Sequence, residues 1–176
     1  MAKDVVMINR APVLTLWAAV VAERLGFDHG EALSLGKTVA GLNAQAKGRR
    51  LGIYHPKPEE IGKAKKHKRG EEFWIELCGR PVPAKNTNAG VRAVSGDTPI
   101  EPDGVQRYLE QKFGDDLQPV QDAMEHLAKA LSTDDLADRA YSLYEQFRPS
   151  IPPGKKGWGA KGELDLTLIR SLAQAT

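Results

Sequence analysis

The run PVLTLWAAVVA, residues 12–22, places apolar side chains on nearly every face of a helix and carries no charge. A helix of that kind has no side to give to water, so other elements must surround it. At eleven residues it is too short to cross a bilayer, and Glu23 and Arg24 follow where a signal peptide would need small residues. The expectation is a central buried helix over 11–25, with Pro12 in its first turn. For 176 residues that are 41% apolar, one domain over 1–176 is the matching size. Cys78 is the only cysteine, which excludes an internal disulfide and a cysteine zinc site and suits a cytoplasmic, reducing compartment away from membranes.

The next segment supplies a first partner for that helix. Asp28 with Glu31 three residues on is an acidic relative of a capping box, and helical spacing runs to about Ala46, where Gly48 can stop it. Ala32, Gly36 and Ala40 recur every four residues and leave a smooth strip for close approach. A helical hairpin over 11–46 follows. The stretch VAERLGFDHGEALSL also resembles a helix-turn-helix at the small and apolar positions that set its geometry. Where such a motif needs donors to phosphates, it has Asp28, His29, Glu31 and Ser34, so an ordinary hairpin is expected.

Further along, residues 47–70 read as a basic linker or short helix, and 71–96 as a β-hairpin. Phe73, Ile75 and Leu77 alternate with Trp74, Glu76 and Cys78, 91–94 supplies a second strand, and Pro81 and Pro83 confine the first to a short or edge role. Three helices are expected within 101–147, at 101–113, 116–131 and 133–147, separated by the acidic links GDD and STDD. A Pro/Gly/Lys loop over 148–162 and a helix over 163–174 complete the chain. The expected class is mainly α (α+β): a helical bundle-like single domain with a small two-stranded β-hairpin in the middle.

Charge is segregated. Residues 47–69 hold nine Lys/Arg against two acids, a net +7, whereas 101–145 hold eleven acids against four bases, a net −7. Lys47, Arg49, Arg50, Lys63, Lys65, Lys66, Lys68 and Arg69 are the candidate polyanion contacts, because neutralising phosphates releases counterions. The competing expectation is that this segment docks on the chain's own acids. A second candidate is PPGKKGWGAKGELDL, where Lys155, Lys156, Trp158 and Lys161 surround glycines ahead of a helix. Its spacing departs from the phosphate-loop pattern, Glu163 and Asp165 would compete with an anion, and Trp158 also serves as a packing pin.

Catalytic signals are thin. Asp122 and His126, four apart on a helix, form at most half a metal site, and Cys78 reads as a buried strand residue. No catalytic set, metal or cofactor is expected. The reading is a non-enzymatic cytoplasmic binding module that contacts a polyanion, nucleic acid, through its basic segment. The alternative is a homo-oligomeric or protein–protein assembly that pairs through the N-terminal hairpin.

Overall fold

The computed structural model describes residues 5–46, 72–95, 98–150 and 161–175. Among them the order is β1 (Val5–Asn9), α1 (Arg10–Leu25), α2 (His29–Ala46), β2 (Glu72–Leu77), β3 (Arg80–Thr87), β4 (Gly90–Ser95), β5 (Thr98–Pro99), α3 (Pro102–Phe113), α4 (Leu117–Ala130), α5 (Thr133–Phe147), β6 (Lys161–Asp165) and α6 (Leu166–Gln174). This is a mixed, mainly helical α+β fold, as its sequence patterns require. The basic linker 47–70 lies outside the described residues, as does most of the loop 148–162.

Helix α1 is the hub. Val13, Leu14, Trp17 and Val21 are fully buried, because α2, α4 and α5 all pack on it. Trp17 resolves its one polar atom by donating from Nε1 to the Ala140 carbonyl at 2.9 Å. Its ring meets Phe147 edge-on at 5.2 Å between centroids, a favoured aromatic geometry. The small-residue strip of α2 serves this same contact: a Cβ on Gly36 would lie 2.5 Å from the Thr15 carbonyl oxygen. Only glycine lets the two backbones come so close.

At its start α2 also holds the larger sheet. Asp28 Oδ1 accepts from the Glu31 N–H at 2.7 Å and Glu31 Oε1 accepts from the Asp28 N–H at 2.9 Å, the reciprocal bonds of the expected capping box. Glu31 Oε2 then accepts from the Val91 N–H at 2.9 Å, and Ser34 Oγ accepts from the Ala93 N–H at 3.1 Å. Two backbone donors of β4 are thereby satisfied by side chains of a helix.

Two expectations need correction. The segment 71–96 is no two-stranded hairpin: with β5 it forms an antiparallel sheet in the order β2-β3-β4-β5. Pro81 and Pro83 sit inside β3, paired with Glu76 and Trp74. They are tolerated because β4 pairs only with residues 84–87 of β3, leaving the proline half with β2 as its one neighbour in the sheet. Likewise 163–174 does not begin as helix. Residues 161–165 pair antiparallel with β1, from Asn9↔Lys161 to Val5↔Asp165, burying Val6, Ile8 and Leu164 on the inner face. Asp165 ends the strand and caps α6, its Oδ1 accepting from the Thr167 N–H at 2.9 Å.

Candidate anion-binding site

Of the two basic sets read from the sequence, the first (Lys47, Arg49, Arg50, Lys63, Lys65, Lys66, Lys68, Arg69) lies wholly outside the described residues, as do Lys155, Lys156 and Trp158 of the second. Lys161 is described. It is exposed in β6, directly opposite Asn9, the residue before α1. The two roots of the glycine loop are clamped together: Ser150 and Glu163 exchange both backbone hydrogen bonds at 3.1 Å. Gly162 permits this clamp, since a Cβ there would lie 2.5 Å from the Ser150 oxygen.

The clamp stands against the N-terminus of α1. Arg10 Nε donates to the Pro149 carbonyl at 3.0 Å, which brings its guanidinium to the chain position next to Arg148. The Arg148 N–H donates to the Tyr144 carbonyl at 2.7 Å, closing the end of α5. Arg10 is pulled below the usual arginine value, first by burial and then by the Arg148 charge. Among the described residues no carboxylate forms an ion pair with either guanidinium. Glu163 lies two residues beyond Lys161 on the same outer face of β6.

Beside these cations lies a buried donor. Tyr144 is fully buried, and its hydroxyl has no hydrogen-bond partner among the described residues. Burial pushes this phenol well above its ordinary range even though Arg10 and Arg148 pull the other way, so at neutral pH it keeps its proton. Tyr141 packs against it at 5.8 Å between centroids, and the buried Arg80 guanidinium lies 5.1 Å from the Tyr141 centroid. The first turn of α1 contains no acid, and no side chain caps it. Positive helix end, two arginines and a neutral hydroxyl are all groups that donate to an oxyanion. Arg10, Arg148 and Tyr144 were not legible as a set, because they come from two helix ends far apart in sequence.

Other candidates assemble less. Asp122 and His126 line an open groove of about 460 Å³ with Pro119, Ala123, Arg170 and Gln174, where Asp122 Oδ1 accepts from Gln118 Nε2 at 2.7 Å. No group of three His, Cys, Asp or Glu fit to hold a metal ion occurs among the described residues. The Cys78 thiol is buried and pushed up to about 12, with Arg80 only partly offsetting the burial, so it is no nucleophile at neutral pH. Trp74 is 66% exposed on the outer face of the sheet, opposite Pro83. Lys37 Nζ sits 3.7 Å from the Tyr108 centroid, and burial together with Lys112 lowers its pKa. No helix among the described residues is long and apolar enough to cross a membrane. Compared with known proteins, the chain matches no protein-family model, no curated protein and no solved structure.

Proposed function

We propose that the protein is a non-enzymatic cytoplasmic module that binds a polyanion, nucleic acid, through the basic segment 47–69 with help from the lysine loop. One observation carries the reading. The Pro149 and Ser150 root of the lysine loop is held beside Arg10, and among the described residues no carboxylate pairs with Arg10 or Arg148, so the charge at this root is positive. The mechanism is backbone neutralisation with little reading of base sequence, which makes affinity fall steeply with salt. The acids of α3 to α5 are mostly exposed and form the competing dock for the basic segment.

The test is fluorescence anisotropy with labelled single-stranded RNA, single-stranded DNA and duplex DNA at low and near-physiological salt. Salt-sensitive binding that flattens when Lys63, Lys65, Lys66 and Lys68 are changed to Gln supports the reading. No binding at low salt leaves the basic segment to the chain's own acids. Pairing of two copies through the 11–46 hairpin has less in its favour, because Gly36 already meets α1 of the same chain and Ala32 and Ala40 are buried. Sedimentation over a range of protein concentrations tests that alternative.

A further inference from the structure

We infer that the groove between α1 and α4 binds a small zwitterion, an ω-amino acid whose carboxylate and ammonium stand about one helical turn apart. The groove has a volume of about 490 Å³, within the roughly 300–1,000 Å³ of small-molecule sites. Val20 and Ala128, both buried, are the apolar part of its lining. Its walls carry charge of both signs: Glu23 and Arg24 on α1, Glu125 and Lys129 on α4. The site lies apart from the basic segment and does not rest on the polyanion reading.

Two observations select the ligand. Among the described residues no ion pair joins any two of these four charges, although Glu125 and Lys129 stand four apart on one helix, where opposite charges ordinarily meet. Glu125 Oε1 instead accepts from Gln121 Nε2 at 3.3 Å, and Glu23 Oε1 lies 3.4 Å from His29 Nδ1. Lys129 is exposed and Glu125 and Arg24 are partly exposed, so a solute in the groove can reach them.

The second observation is the position of Arg24. Its Nη2 donates to the Leu131 carbonyl at 3.1 Å, which holds the guanidinium at the end of the groove where Lys129 stands, two residues before Leu131. Glu125 lies one turn back along α4, about 6 Å at a rise of ~1.5 Å per residue. The groove thus has a cationic end and a carboxylate a turn away from it.

A simple cation would meet Glu125 but face Arg24 and Lys129, and a simple anion would face the reverse. An apolar molecule would strip water from the charged walls and return nothing to them. A carboxylate on Arg24 and Lys129 with an ammonium on Glu125 answers both ends through charge-assisted hydrogen bonds. The methylene spacer then covers Val20 and Ala128. An α-amino acid carries both charges on one carbon and does not span the turn.

The experiment is a ligand-observed NMR titration of the full chain with 4-aminobutyrate and 6-aminohexanoate, against glycine, butyrate and butylamine at constant ionic strength. Expected is saturable binding of an ω-amino acid, roughly tenfold or more tighter than the other three, since butyrate and butylamine each lack one charge-assisted bond and glycine lacks the span. Glu125→Gln should reduce the ω-amino acid to the affinity of butyrate, and Arg24→Gln to that of butylamine. Because Arg24→Gln also breaks the Leu131 bond, Lys129→Gln tests the same end on an exposed side chain, where the ω-amino acid should weaken roughly threefold. Circular-dichroism melts check that each variant is folded. An ω-amino acid that does not saturate, that binds no tighter than the half-ligands, or whose affinity is unchanged in both Glu125→Gln and Lys129→Gln would overturn the site.

Discussion

Glu31 and Val91 are joined by a 2.9 Å hydrogen bond in which the strand N–H donates to carboxylate Oε2, while Oε1 of the same side chain accepts from Asp28. One carboxylate thus starts a helix and satisfies a sheet. A Cβ on neighbouring Gly90 would lie 3.0 Å from Oε2, so the strand approaches this group closely. Replacing Glu31 by Ala removes half the capping box and strands the buried Val91 donor, at a cost of about 2–4 kcal/mol. Glu31→Gln should lose less, because its single amide oxygen can still serve one of the two donors. Urea unfolding of both variants measures the order.

The contact of α1 with α2 predicts opposite outcomes at two glycines of one helix. Gly36→Ala would press a methyl into the Thr15 carbonyl and the Ala19 backbone, costing about 2 kcal/mol or more. Gly41→Ala meets nothing within 4 Å and should stabilise by about 0.5–1 kcal/mol through helix propensity. Equal effects in thermal unfolding would mean that the helices are not in contact at Gly36.

The turn between β2 and β3 has positive φ at both Cys78, 51°, and Gly79, 74°. A Cβ at Gly79 would touch only the Tyr141 Cβ, at an ordinary 4.0 Å, so the penalty of Gly79→Ala is conformational. It should cost about 1–2 kcal/mol in denaturant unfolding.

Burial of Cys78 and Tyr144 sets an alkaline limit. Both hold their protons more tightly folded than unfolded, so the stability they contribute is complete below the unfolded thiol value of 9.0. It is lost as pH rises from there towards about 12, where the folded thiol ionises. The urea midpoint should therefore hold steady below that lower value and decline above it, less steeply for Cys78→Ala. Thiol reagents at neutral pH should label Cys78 only at the rate of unfolding.

What was legible from the sequence was whatever repeats at helical spacing. Val120, Ala123, Met124 and Leu127 on α4, and Leu136, Ala140, Leu143, Tyr144 and Phe147 on α5, are the buried stripes their spacing implies. The Asp28–Glu31 box was equally local, since both its partners lie within one helical turn. The strands β1 and β6 were hidden because each is five residues long and finds the other strand only at a great distance along the chain. Nothing within GELDLTLIRSLAQA distinguishes a strand followed by a helix from one longer helix, until Val5 to Asn9 provides a pairing edge. The contact of Arg10 with the Pro149 carbonyl was hidden for the same reason. Arg10 and Pro149 are far apart in sequence, and the Ser150–Glu163 bridge beside Pro149 is just as non-local.

That pairing of distant strands also orders events in time. During synthesis β1 and the largely apolar α1 leave the ribosome while the strand that completes β1 and the helices that cover α1 are still unmade. Until then α2, the next helix in sequence, is the main local shelter for Trp17 and its neighbours. The small strip on α2 therefore acts as an early nursing surface for α1, and a side chain wedged at Gly36 would be felt as lost yield during expression before it was felt as lost stability in the finished protein.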